Sequence, residues 1–237
     1  MSKIIFFDTE TTGVTENDFL CQIAYITDDE NFVGLYKPAI QIPSEASAVH
    51  HITNKMVEDK PAFSETSDKT KIKDLFENKN SIVVAHNAPF DLMIIKNEGI
   101  VPLNFICTLK VARHLDKDGK IDRYSLQNLR YQLGIEVEAT AHDAMGDVTV
   151  LEKLFERLKN RIMKDGASEE EALVQMMEIS QKPSLHRTFR FGKHIGKKVE
   201  DVVKIDKGYL EWLLAQKELK PQGEDDWIYT LRHFLGK

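Results

Sequence analysis

The chain has 237 residues, 42% apolar and 30% charged, and its 32 Lys and Arg against 38 Asp and Glu leave a formal net charge of −6. That length allows one large domain with a small companion and a sizeable core. An acidic balance excludes a global field that gathers nucleic acid, so such a partner must be held by local basic patches or by metal ions, and tight sequence-specific duplex binding is not expected. The N-terminal apolar stretch, Ile4 to Phe7, is four residues long and is followed at once by acids. It is neither a membrane span nor a signal peptide, and a cytoplasmic protein is expected.

Taken in chain order, residues 3–9 (KIIFFDT) form an apolar run suited to a central strand buried on both faces. Asp8 and Glu10 are two apart, so on a strand they point to the same side. Two carboxylates about 4 Å apart repel by roughly 4 kcal/mol at an effective dielectric near 20, a cost that a divalent cation between them removes. The plainer reading is a strand leaving through a polar turn at Thr12 and Gly13. Strands are expected at 20–28 and 31–37, joined by a hairpin turn at Asp28–Asn31, then a loop, a helix at 64–77 and a buried strand at 81–85. After the turn at His86 and Asn87, Asn87 can cap a helix over 88–98 with Pro89 in its first turn. Asp91 then lies just inside that helix, where an acid also suits the helix dipole without any chemistry. A strand is expected next at 104–107, and helices thereafter.

His142 and Asp147 are five apart, about 140° around a regular helix, so they cannot share a face if both are helical. With Asp143 as N-cap the helix starts at Ala144, carries Asp147 on its first turn and buries Val148, Leu151, Leu154, Phe155, Leu158 and Ile162. His142 then lies in the preceding loop, free to reach over the same cleft. Ser168 with Glu171 spells a capping box for a helix through Ile179, and Pro183 prevents its continuation. Cys21 and Cys107 are lone thiols without metal-ligand spacing, expected as reduced packing residues.

The segments FDTETTG, HNAPFD and HDAMGD, in this order, resemble the DnaQ-like exonucleases of the branch with four acids and a histidine. Residues 49–61 (VHHITNKMVEDKP) resemble that family's V-H-x-I-T…D-x-P segment, with His51 where many members carry glycine. Taken alone, His50 and His51 read as a surface loop. The resemblance covers residues 1 to about 160 and implies a ribonuclease H-like fold, α/β in class, with a mixed five-stranded sheet flanked by helices. It implies two divalent ions, Mg²⁺ or Mn²⁺, held by Asp8, Glu10, Asp91 and Asp147, with Asp8 bridging both and His142 as general base. It also implies substrate contacts at Glu10, at Thr11, Thr12 and Gly13, and at His50, Asn87 and Phe90, with Val14 a weak candidate for a wedge against the last base. The implied partners are DNA 3′ ends, single-stranded or in frayed duplex, together with repair or replication proteins.

Residues 188–214 resemble the small C-terminal module of the exonuclease X-like members of this family. The expected layout is an exonuclease domain at 1–165, a connecting helix and loop at 166–187, and a small α+β module at 188–237. Its FGKHIGKK turn concentrates Lys193, His194, Lys197 and Lys198, so Lys193, Lys197 and Lys198 are candidate contacts for a phosphate backbone, against the alternative of a solvated hairpin. Tyr209, Leu210, Trp212, Leu213, Leu214, Trp227, Leu231 and Phe234 read as a mini-core. The expected activity is release of nucleoside 5′-monophosphates from DNA 3′ ends. RNA trimming, polymerase proofreading and a binding module without catalysis remain open alternatives.

Overall fold

The computed structural model of the chain describes residues 2–137 and 144–237. Its contacts divide the chain into two units, Met1–Leu109 with Ser125–Met177, and Lys110–Tyr124 with Glu178–Lys237. The linear layout expected from sequence does not assign 110–124 to the C-terminal part, because that grouping rests on tertiary contacts rather than on any composition shift.

The first unit contains strands β1 (Lys3–Thr11), β2 (Leu20–Ile26), β3 (Asn31–Leu35), β4 (Ser81–Ala85) and β5 (Phe105–Cys107) in the order β3-β2-β1-β4-β5. β3, β2 and β1 are antiparallel neighbours, whereas β4 runs parallel to β1 and β5 parallel to β4. This is the expected mixed sheet, and the turn between β2 and β3 closes at the expected place, with the Thr27 amide donating to the Glu30 carbonyl at 2.9 Å. The connections hold α1 (Ser44–His50), α2 (Asn54–Val57), α3 (Ser67–Phe76), α4 (Ala88–Asn97), α5 (Thr108–Leu115), α6 (Leu126–Gln132), α7 (Ala144–Met163) and α8 (Glu169–Gln181), the unit boundary falling within α5 and α8.

Alternation along β1 decides which helix meets which residue. Ile5 and Phe7 enter the core shared with α3 and α4, and the Phe7 ring meets Phe76 edge-on at 5.1 Å. Phe6 turns to the other face and meets Phe155 of α7 at 5.1 Å. The cap expected at Asp143 lies outside the described residues, while α7 buries Val148, Leu151, Leu154, Phe155, Leu158 and Ile162 as expected. Each such side chain contributes roughly 1.5–3 kcal/mol by leaving water. Both cysteines are free and buried, and the capping box forms, the Ser168 amide donating to Glu171 Oε2 at 2.8 Å and the Glu171 amide to Ser168 Oγ at 3.3 Å.

The segment expected as a loop before α3 instead contains α1 and α2. Neither has a side-chain cap or the length to show a clear period, which is why the sequence pattern does not reveal them. α1 ends at His51, whose φ of +62° is left-handed and whose amide donates to the Ser47 carbonyl at 2.8 Å. That conformation is the one glycine adopts most readily, which accounts for glycine at this position in the family pattern.

In the second unit, α9 (Val199–Ile205), α10 (Lys207–Leu219) and α11 (Asp225–Leu235) enclose Phe189, Leu210, Leu213, Leu214, Trp227 and Leu231. The expected mini-core is therefore present, except that Trp212 is 54% exposed. Trp212 is on α10 with Leu213 and Leu214 next to it, and those two take the inward positions. The segment 188–198 closes through one antiparallel bridge, Thr188 with Lys198, around a 3₁₀ turn at Gly192–His194. Among the described residues no helix is long and apolar enough to cross a membrane.

Because the face of β1 that carries Asp8 rests on α7 through Phe6 and Phe155, Phe155→Ala should lower unfolding stability by about 3–5 kcal/mol in denaturant titration. An unchanged midpoint would show that α7 is not anchored there.

Candidate active site

Asp8 and Glu10 stand half-buried near the end of the central strand, two apart and on the face of Phe6. α7 crosses that face, and Asp147, on its first turn, is 8% exposed. Asp8, Glu10 and Asp147 offer carboxylate oxygens that lie within 4.8 Å of one another. The fourth acid, Asp91, is 3% exposed on the first turn of α4, and its Oδ1 accepts from the Thr9 amide at 3.1 Å and from Thr9 Oγ1 at 2.7 Å. Thus β1 presents its even residues to α7 and holds the acid of α4 through its odd residue, Thr9.

Burial raises the Asp8 carboxyl well above the usual carboxylate range, and the charges of Asp91, Glu10 and Asp147 raise it further, in that order. All four acids therefore share one field. Asp91 is pushed up to about 7 by burial, against which the Thr9 hydrogen bonds pull. At 4.8 Å each carboxylate pair repels by about 3.5 kcal/mol at an effective dielectric near 20. Oxygen-only donors at this spacing fit a hard divalent cation such as magnesium or manganese rather than a thiolate-seeking metal. His142 and Asp143 lie outside the described residues.

The structure adds residues that the sequence does not single out. Gln127, on α6, donates from Nε2 to Asp147 Oδ1, and Arg130 donates from Nη1 to Gln127 Oε1 at 3.3 Å. A glutamine on a short helix twenty residues from its partner gives no sequence signal. Asp18 ties the turn after β1, accepting from Thr12 Oγ1 at 2.9 Å and from the Thr15 amide at 2.8 Å. Its carboxylate occupies the place a side chain at position 13 would need, since a Cβ on Gly13 would lie 2.6 Å from it.

Of the expected substrate contacts, Thr11 and Thr12 are buried and their hydroxyls bond inside the turn, to the Gly13 carbonyl and to Asp18. The Thr12 amide donates to the Phe19 carbonyl at 2.9 Å. His50 is not a surface loop residue: it is 6% exposed. The Ile52 amide donates to its Nδ1 at 3.0 Å, so Nε2 carries the proton and donates to the Thr11 carbonyl at 3.1 Å. It fastens the end of β1 to the chain after α1. Asn87 is exposed and takes the N-cap position of α4 in a left-handed conformation, φ +65°, without a side-chain capping bond, and Phe90 packs partly into the core. Val14 is 83% exposed. In the second unit Lys193 donates to Asp206 at 2.7 Å, and His194, 4% exposed, shares that carboxylate at 2.8 Å. Those contacts hold Asp206 down at about 2 and tie both side chains to the module, whereas Lys197 and Lys198 are exposed.

The central strand and two flanking helix starts of a mixed sheet bring four carboxylates into one field, an arrangement whose charge suits divalent cations. A family model described as Exonuclease matches residues 5–155, and another described as Exodeoxyribonuclease X-like C-terminal matches residues 189–218. The chain belongs to the exonuclease family, in its DnaQ-like 3′-to-5′ branch. It is 32% identical to Exodeoxyribonuclease 10 of Escherichia coli K12 over 99% of both chains. It is 35% identical to DNA polymerase III subunit epsilon of Treponema pallidum over 63% of this chain and 73% of that one. A solved structure of exonuclease X in complex with 5′ overhanging duplex DNA superposes with a TM-score of 0.55 at 26% identity, covering 75% of this chain and 99% of that one.

The raised acid makes metal-free stability fall with pH. Unfolded Asp91 ionises near pH 4, whereas the folded chain keeps it protonated up to about pH 7. Melting temperature in chelator should therefore fall as pH rises across that window. Asp91→Asn should flatten the fall; an identical profile in variant and parent would contradict the assigned burial.

Proposed function

We propose that this chain is an exodeoxyribonuclease that shortens DNA from its 3′ ends and releases nucleoside 5′-monophosphates, using two divalent ions at the four acids. The observation that supports this most is the convergence of Asp8, Glu10 and Asp147 within 4.8 Å, with Asp91 raising the Asp8 carboxyl from α4. Two bound ions, magnesium or manganese, supply an acidified water for attack at phosphorus and a Lewis acid for the leaving 3′ oxygen. Asp8, which feels the charges of the other three acids, would hold the ions together with Glu10, Asp91 and Asp147. Asp147 is oriented by Gln127, and Asp91 by Thr9. The His142 imidazole would take the proton of the attacking water. Glu10 would contact the terminal 3′ hydroxyl, with Asn87 and Phe90 as further substrate contacts.

DNA is favoured over RNA because the relative matched over 99% of the chain is named as an exodeoxyribonuclease and because the C-terminal family model carries the same name. The acids themselves do not sense a 2′ hydroxyl. Proofreading within a polymerase is the second reading, supported by the Treponema relative, whose match covers 63% of this chain. A cytoplasmic place beside repair or replication proteins fits either reading.

End-labelled single-stranded DNA, duplex DNA and RNA, each incubated with magnesium, manganese or chelator, test the assignment. Metal-dependent release of deoxynucleotides is expected, fastest from single-stranded or frayed ends; none with any metal would favour a binding module. His142→Ala should keep metal and DNA binding while losing about 10²–10⁴ in turnover, whereas Asp8→Ala should lose metal as well. Gln127→Leu should weaken manganese binding by about 10–100-fold in titration calorimetry, and wild-type affinity would deny Gln127 its orienting role.

A further inference from the structure

The chain's acidic balance is not evenly spread. Lys110–Tyr124 and Glu178–Lys237 together carry 17 Lys and Arg against 12 Asp and Glu, while the remainder carries 15 against 26. Many cations of the second unit are paired: Arg113 with Asp226, Lys193 with Asp206, Lys207 with Glu211, Lys217 with Glu224 and Arg232 with Glu218. Another group gathers in one place. A hollow of about 470 Å³, within the range of ligand sites, is lined by Lys117, Lys120, Arg187 and Lys198 against Asp118 and Glu200.

Two rigid pieces of chain build this hollow. The turn after α5 folds around the Asp116 carboxylate, which accepts from the Lys120 and Ile121 amides, each at 2.9 Å, and from Tyr124 Oη at 2.6 Å. Gly119 there has φ +67°, and a Cβ on it would lie 3.0 Å from Arg187 Cβ, so the turn sits directly against Arg187. The opposite wall is the short ladder in which the Val199 amide donates to the Arg187 carbonyl and the Phe189 amide to that of Lys197, each at 2.9 Å. Lys120 is compensated by Asp118 at 2.9 Å, and Lys198 reaches Glu200 only at 3.8 Å. Lys117 and Arg187 have no carboxylate partner among the described residues, and the buried Arg187 Nε has no hydrogen-bond partner among them. Neighbouring His114 registers the surplus: burial lowers its pKa, and Lys117, Arg187 and Lys182 lower it further.

We infer that this hollow is a binding site for the phosphodiester backbone of the nucleic-acid strand, with Lys117, Arg187 and Lys198 as its phosphate contacts and Phe234, which also lines it, as an apolar wall for sugar or base. This deepens, and rests on, the reading of the chain as a nuclease. Lysine and arginine in excess around a concave surface suit phosphate oxygens without reading sequence. A second foothold in the same chain raises the local concentration of strand ends, which a first unit with a large acidic surplus cannot do by its own field.

The full chain in chelator, where cleavage does not proceed, is titrated with fluorescent oligothymidylate across a salt series. Lys117→Gln/Lys198→Gln should raise Kd about tenfold and flatten the slope of log Kd against log salt by about 1.4, near 0.7 for each lost phosphate contact. Lys204→Gln/Lys220→Gln removes equal charge elsewhere in the unit and serves as the comparison. Equal effects of the two variants, or no effect of the first, overturn the site. Loss of thymidine 5′-monophosphate binding as large as that of the oligonucleotide overturns the strand assignment in favour of a mononucleotide site. Should the double variant fail to fold, Lys117→Glu, at an exposed side chain on the turn, carries the same test. Hydrolysis of the p-nitrophenyl ester of thymidine 5′-monophosphate by the wild-type chain with manganese reads the four acids alone, so failure of the nuclease reading is seen separately.

Discussion

Carboxylates crowded on partly buried ground repel one another, and the fold around them is what prevents them from moving apart. Asp8 and Glu10 cannot separate, because both lie in the stretch of β1 paired to β2, opposite Ala24 and Gln22, while β4 pairs the start of the same strand from Lys3 to Phe6. Asp147 cannot retreat, because the helix that carries it is fixed to the same strand by Phe155 against Phe6. Asp91 is held by two hydrogen bonds from Thr9. The electrostatic cost thus falls on the protonation state of the acids rather than on the backbone, and a divalent cation is the natural means of removing it.

The strand's two-residue period organises everything near the site. Ile5 and Phe7 serve the core beneath α3 and α4, while Phe6, Asp8 and Glu10 serve the face under α7. Beyond β1 the chain is tied by small polar groups: Asp18 gathers the turn of Thr12 and Thr15, and neutral His50 joins the Thr11 carbonyl to the Ile52 amide. These contacts make the site's rim a rigid extension of the sheet. The second unit works differently. Its own core is compact and aromatic, and one hollow in the unit gathers Lys117, Lys120, Arg187 and Lys198 against Asp118 and Glu200. The four clustered acids and the lysine-lined hollow thus lie in different parts of one chain.

Much of this architecture is legible in the sequence. The sheet, its hairpin and the buried face of α7 emerge from apolar runs, turn residues and helical periods, all local signals. So do the parity of Asp8 with Glu10 and the capping box at Ser168. Residues whose role depends on a partner far along the chain are not legible. Thr9 reads as one more β-former in a strand, and Gln127 as an ordinary helix residue, until Asp91 and Asp147 are seen beside them. His194 reads as part of a basic turn, yet Asp206 takes it inside. The segment 110–124 gives no hint that it folds with the C-terminal residues.

The sequence by itself determined the strands, the longer helices, the acids and their family pattern, because strand and helix periodicity and motif spacing are written in neighbouring residues. Only the tertiary structure decided that Asp8, Glu10, Asp91 and Asp147 share one field, which polar groups orient them, and which lysines are tied to carboxylates and which remain available. Hydrogen bonds, burial and charge pairing act through space, and residues that meet in space here stand as far apart along the chain as Thr9 and Asp91 do.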